Sequence, residues 1–164
     1  MDARAAHLIT SLGLVPHPEG GYYREVHRSS SRVRPVEDAR GERTALTTIY
    51  FLLVSGDVSR WHRVASDEAW HYLEGDALEL MTADADFTRV RRHVLGCVED
   101  GIAPVHVVPA HEWQASRTRG AYTLAGCTVG PGFEFADFQM LRDDPALLAA
   151  ARAASIDGAV RLTR

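Results

Sequence analysis

The sequence predicts an all-β fold, a sandwich or barrel with a short helix at each end. Three observations carry this reading. Short β-branched and aromatic runs recur along the chain, turn signals separate them at close intervals, and strong helix formers are confined to the two ends. With 164 residues, the chain has the usual length of one domain, and we expect a single domain over residues 1–164 with its barrel core at about 20–141.

At the N-terminal end, Ala5, Leu8, Ile9 and Leu12 recur at helical spacing and Gly13 supplies a stop, which predicts a helix over residues 2–13. A loop, residues 15–21, follows. Alternation then predicts a strand over 22–28, and the run TALTTIYFLLV predicts a strand over 44–54 buried on both faces, with a polar exposed loop from 29 to 42 between them. Further strands are expected at 60–64, 68–74, 77–82, 88–94, 105–108, 112–116, 122–129 and 135–141. The acidic pair Asp143 and Asp144, then Pro145 and a Leu/Ala run, predict a C-terminal helix at about 144–153.

Composition excludes several functions. All 18 basic residues are Arg, so Schiff-base chemistry, a pyridoxal-phosphate lysine and a Walker-type phosphate loop are ruled out. A net charge of −4 offers no electrostatic reason to bind nucleic acid or an anionic membrane. Without a long apolar run or a leader-like N-terminus, no membrane span or signal peptide is expected, and the cytoplasm is the expected location. Cys97 and Cys127 lack a CxxC spacing and read as core thiols rather than as a disulfide framework or zinc site.

The informative block is GDVSRWHRVASDEAWHYLEG, residues 56–75. A strand of period two turns His62 and Val64 to one side, and after a turn at residues 65–67 the next strand can return Glu68 to the same interior. A histidine and a carboxylate then converge on one pocket.

This spacing of Gly56, His62, Glu68 and Gly75 resembles the first motif of the cupin superfamily, with Val64 in place of its second histidine. The second motif resembles Pro109-Ala-His-Glu-Trp-Gln114, with Gln114 in the histidine place. The phrases LGLVPHPEGGYYREVHRS, TTIYFLLVSG, HRVASDEAWHYLEGDALEL, VVPAHEWQAS and TLAGCTVGPGFEFADFQML are similar to the DUF985, or cupin-5, family over about residues 11–141. The resemblance implies a cupin double-stranded β-helix, a jelly-roll barrel, usually a homodimer, with a small-molecule pocket lined from these phrases. It implies no particular reaction.

Strand parity after Glu68 turns Leu73, Leu78 and Leu80 inward, Glu74 and Glu79 outward, and His71 inward with Leu73. Glu68 has the opposite parity, so Glu68 and His71 reach one pocket only across a bulge. Given that bulge, His62, Glu68 and His71 make a two-His, one-carboxylate set for one divalent ion (Zn, Fe, Ni or Mn), with Gln114 as a weak fourth donor. Without a metal, His62 suits a general base oriented by Glu68, and Tyr22, Tyr50 or Tyr72 the acid. The plainer alternative leaves His62 and His71 satisfied by hydrogen bonds and Glu68 paired with Arg24 or Arg63.

Arg24, beside Gly20, Gly21, Tyr22 and Tyr23, is the candidate anchor for a carboxylate or phosphate. Phe133 is a candidate floor of the pocket, with core packing as the alternative for it and for Trp61, Trp70 and Trp113. Two functions follow as expectations: an isomerase, epimerase or lyase acting on a sugar or other small metabolite, or a non-catalytic or storage-like cupin module.

Overall fold

The structure, a computed structural model, describes residues 1–36 and 39–153. It opens with helix α1 (Ala3–Leu12), whose N-terminal amides are capped by the Asp2 carboxylate, 2.8 Å from the Arg4 N–H and 3.1 Å from that of Ala5. Gly13 ends it in the left-handed conformation, returning its N–H to the carbonyls of Ile9 and Thr10.

Among the described residues the strands that follow are β1 (Val15–Pro16), β2 (Tyr22–Arg28), β3 (Arg32–Val33), β4 (Arg43–Thr44), β5 (Thr47–Val54), β6 (Ser59–Val64), β7 (Asp67–Gly75), β8 (Leu78–Ala83), β9 (Val90–Leu95), β10 (Val105–Val108), β11 (Trp113–Thr118), β12 (Tyr122–Gly130) and β13 (Phe138–Met140). One sheet has the order β1-β2-β5-β12-β7-β10 and the other β13-β6-β11-β8-β9, with β3 and β4 forming a separate two-stranded ribbon. Helix α2 (Pro145–Ala153) closes the described chain, its Leu147 N–H held by Asp144 at 3.0 Å. Among the described residues no helix is long and apolar enough to cross a membrane.

Two expected strands are divided. The run expected as one strand over 44–54 breaks at Ala45 and Leu46, where β4 turns away to pair with β3 inside the segment expected as a loop. Residues 135–137 form a single 3-10 turn before β13.

Burial follows strand parity. Between the sheets, Phe51, Leu53, Trp70, Leu78, Leu80, Leu95, Ala125 and Cys127 pack as one core. On the outer side of β6, β8 and β11, Trp61, Met81, Phe87 and Trp113 pack with Leu141 and Ala151, where α2 covers them. On the outer side of the other sheet, Ala5, Leu8 and Leu14 cover Leu52, Val54 and Leu124. Each sheet is thereby shielded on its outer side by a terminal helix, and the apolar packing between the sheets leaves one region for a cavity.

The loop between β1 and β2 is held against β6. The Arg60 N–H donates to the Glu19 carbonyl at 2.9 Å, and the Gly20 N–H closes a tight turn onto the His17 carbonyl at 3.0 Å. Gly20 has φ +112°, and a Cβ there would fall 2.1 Å from the Val58 carbonyl oxygen. Gly20→Ala should therefore lose roughly 1–3 kcal/mol from backbone strain plus the cost of the clash. Gly101→Ala, at φ +76° with nothing within 4 Å, should lose the strain alone. Urea unfolding of both variants checks this; equal losses would show that the loop gives way without resistance.

Candidate functional site

A cavity of about 310 Å³ lies between the sheets, walled largely by aromatic and aliphatic side chains. Two histidines and two carboxyl side chains line its interior: His17 and Glu19 from the β1–β2 loop, His62 from β6 and Glu68 from β7. His62, Glu19 and Glu68 are each less than a tenth exposed. His62 points inward because its β6 neighbour Trp61 belongs to the outer cluster under α2, and its ring stacks on Phe138 with centroids 5.4 Å apart.

The hydrogen bonds assign the protons. His62 Nδ1 lies 2.7 Å from the Arg60 carbonyl, which can only accept, so Nδ1 carries the ring hydrogen and the lone pair is on Nε2. His17 Nδ1 accepts the Glu19 N–H at 3.3 Å, so its lone pair is on that nitrogen. The His62 lone pair faces Glu19 Oε2 at 3.2 Å, and His17 Nδ1, its lone pair taken by the Glu19 N–H, lies 3.5 Å from the same oxygen. Ser59 donates to the other carboxyl oxygen at 2.7 Å. A lone pair 3.2 Å from a carboxyl oxygen calls for a proton between them, and burial supplies the same answer by pushing the Glu19 carboxyl up to about 8, against the smaller opposing effect of the Ser59 bond.

Glu68 is held differently. Gln114 donates its amide N–H to Glu68 Oε2 at 2.5 Å, while its oxygen accepts the Trp70 indole N–H at 2.8 Å, which fixes the amide orientation. Burial raises Glu68 to about 7, opposed chiefly by the nearby His62 imidazole. Burial likewise lowers His17 to about 3 and lowers His62, so both rings are neutral near pH 7. The site thus holds one protonated carboxyl, one carboxyl near its midpoint and two neutral imidazoles.

Of the residues singled out in the sequence, His62, Glu68 and Phe133 line the cavity, and Gln114 sits behind Glu68. Tyr22, Arg24, Tyr50, His71 and Tyr72 do not reach it. Ile49 and Phe51 take the inward positions of β5, so Tyr50 packs on the outer face beside α1 together with Tyr22. Arg24 is also outside, where it donates to the Leu12 carbonyl at the end of α1 at 3.0 Å. Tyr72 is occupied in donating to the Gly75 carbonyl at 2.6 Å.

His71 corrects the parity reading. A bulge is present in β7, but it lies at Leu73, where Leu124 pairs with Glu74 and the next residue, Ala125, pairs with Tyr72. Glu68 and Trp70 therefore share the inner face, while Leu73 is 47% exposed and both it and His71 lie against Gly126 on the outer face. Arg63, offered as a partner for Glu68, instead donates to Gln139 and lies over the Trp113 ring.

The expected metal set of His62, Glu68, His71 and Gln114 does not assemble. His71 is on the far side of the sheet, and the Gln114 oxygen is committed to Trp70. Among the described residues no three His, Cys, Asp or Glu side chains are arranged to hold a metal ion, and we derive no step through one.

His17 and Glu19 are the site residues that sequence reasoning missed. They lie in a Pro- and Gly-rich loop, where no alternation assigns a direction. The available signal was a carboxylate set directly before the Gly20-Gly21 pair, a place where backbones approach closely.

Two sheets enclosing a cavity lined by a histidine and carboxylates define a cupin-type barrel. The chain belongs to the cupin superfamily family DUF985, whose model matches residues 6–141. It is similar to a hypothetical protein from Leishmania major, with 34% identity, coverage of 96% of each chain and a TM-score of 0.82. It is also similar to a protein from Shewanella oneidensis, at 32% identity over 98% of this chain and 97% of that one, with a TM-score of 0.85. A mutant of Bacillus subtilis oxalate decarboxylase shares the fold at 14% identity and TM-score 0.56, over 84% of this chain and 33% of that one. No curated protein matches the sequence.

The buried carboxyls set a pH dependence. Glu19 and Glu68 hold protons in the folded state that an unfolded chain releases near pH 4.5, so stability falls as pH rises toward 8 and 7 respectively. His17 acts oppositely, but its contribution is complete above about pH 6.5. Thermal midpoints should therefore decline between pH 6.5 and 8. Glu19→Gln can keep the Ser59 bond and offer an N–H to the His62 lone pair, so it should flatten that decline; a decline unchanged by the variant would contradict the proton assignment.

Proposed function

We propose that the protein catalyses proton transfer on a small molecule held in the cavity, a reaction of the isomerase, epimerase or lyase type. The observation that carries this reading is the pairing of two buried carboxyls near neutrality, one protonated and one able to ionise, with His62 in electrostatic contact with both. Structural carboxylates are normally paired with a cation and driven to low pKa. Glu74 shows the usual case, held near 2 by Arg4 and Tyr122 at the surface.

In this reading Glu68 is the base. With a pKa of about 7 it is ionised in part at neutral pH and strong enough to take a proton from carbon beside a carbonyl. Glu19 is the acid, presenting the Oε2 proton where a substrate oxygen gains charge. His62 serves Glu19: with Nδ1 fixed on the Arg60 carbonyl, its Nε2 can accept the proton from Glu19 and return it. The apolar walls exclude water, which strengthens each of these interactions.

The test is hydrogen exchange in D₂O. The protein is incubated with aldoses, ketoses, amino sugars and 2-oxo acids, and loss of C–H signals is followed by proton NMR. A proton-transfer enzyme should wash out one position of its substrate, and Glu68→Gln should slow this by about 10²–10⁴-fold while remaining folded. Binding of a compound without any exchange would instead favour the non-catalytic module.

A further inference from the structure

The charges on the cavity lining point to the class of ligand. Four carboxyl side chains line it: Glu19 and Glu68 inside, Glu25 and Glu134 at the mouth. Arg28 is the one Lys or Arg side chain among the described lining residues. Its guanidinium is already engaged, with Nε and Nη2 on the two oxygens of Glu25 at 3.0 and 2.8 Å, Nη1 on Glu134 at 3.0 Å and Nη2 also on the Phe133 carbonyl at 3.2 Å. The mouth therefore carries one positive and two negative groups, and both interior histidines are held as neutral acceptors or donors by their hydrogen bonds.

An anion entering this cavity would have to displace a carboxylate from Arg28 and then face two more carboxyls in a low-dielectric interior. A cation or a neutral N–H donor meets the opposite situation. Glu68 can accept from it, as it already does from Gln114, and the rings of Phe51, Trp70, Phe133 and Phe138 offer flat walls whose faces attract positive charge. The volume, about 310 Å³, suits a ligand of one or two rings.

We propose that this cavity binds a flat, neutral or cationic ligand that donates N–H hydrogen bonds to Glu68, and that it turns away phosphate- and carboxylate-bearing compounds. The inference rests on the proton-transfer reading for the identity of the site and deepens it by naming the ligand class. Sugar phosphates and nucleotide sugars are excluded as substrates, while amine- or amidine-bearing rings are admitted. Binding is measured without turnover, so either claim can fail alone.

The test uses benzamidinium and benzoate, two probes of nearly equal shape and opposite charge, in calorimetric titrations near pH 8, where Glu68 is ionised. Benzamidinium should bind at least about tenfold more tightly than benzoate, and Glu68→Gln should remove most of that preference. A second variant, Glu25→Gln with Glu134→Gln, alters only part-exposed mouth positions and frees Arg28; it should raise benzoate affinity several-fold. The proposal is overturned if benzoate binds as well as benzamidinium, if neither probe binds at about 10 mM, or if neither variant moves the preference.

Discussion

A carboxyl group withdrawn from water must keep its proton or meet a cation, and the interior of this barrel gives Glu19 and Glu68 hydrogen bonds instead of a paired cation. Glu19 receives a hydroxyl from Ser59 and the lone pair of His62; Glu68 receives an amide from Gln114. Much of the surrounding structure serves this constraint. The β1–β2 loop is stitched to β6 so that Glu19 stays over His62, and Trp70 anchors the amide that holds Glu68. The resulting site costs stability as pH rises.

The barrel divides its interior between packing and chemistry. Phe51, Trp70 and Cys127 belong both to the apolar core and to the cavity wall, so the same side chains that fill one side shape the other. Cys127 illustrates the cost of that sharing. Buried, and set against the charges of Glu68 and Glu19, its thiol is pushed well above the ordinary range and is kept protonated. It is an inert wall group that lends a weak hydrogen bond to Glu68.

Much of the fold was legible because β-branched runs and Gly/Pro turns mark strands whatever their partners, and strand β2 and strand β10 fall where the sequence placed them. His62 and Glu68 were legible from their spacing across one short turn, although β6 and β7 belong to different sheets. Direction was harder. In TALTTIYFLLV apolar residues occupy both faces, which concealed that Tyr50 points outward while Ile49 and Phe51 point in. Parity carried back from Leu78 and Leu80 failed at Leu73, where one extra residue reverses the alternation and leaves His71 outside. His17 and Glu19 had no alternation to read, and only the folded loop brings them to His62.

The bulge in β7 makes segment length matter more than composition there. Residues before Leu73 are in phase with Glu68, and residues after it lead through a turn into β8, which belongs to the other sheet. Loss or gain of one residue between Glu68 and Gly75 would force one half to turn over, sending either the site carboxyl or the Leu78 and Leu80 side chains toward solvent. The number of residues in this stretch is therefore as strictly constrained as the identities of Glu68 and Trp70 within it.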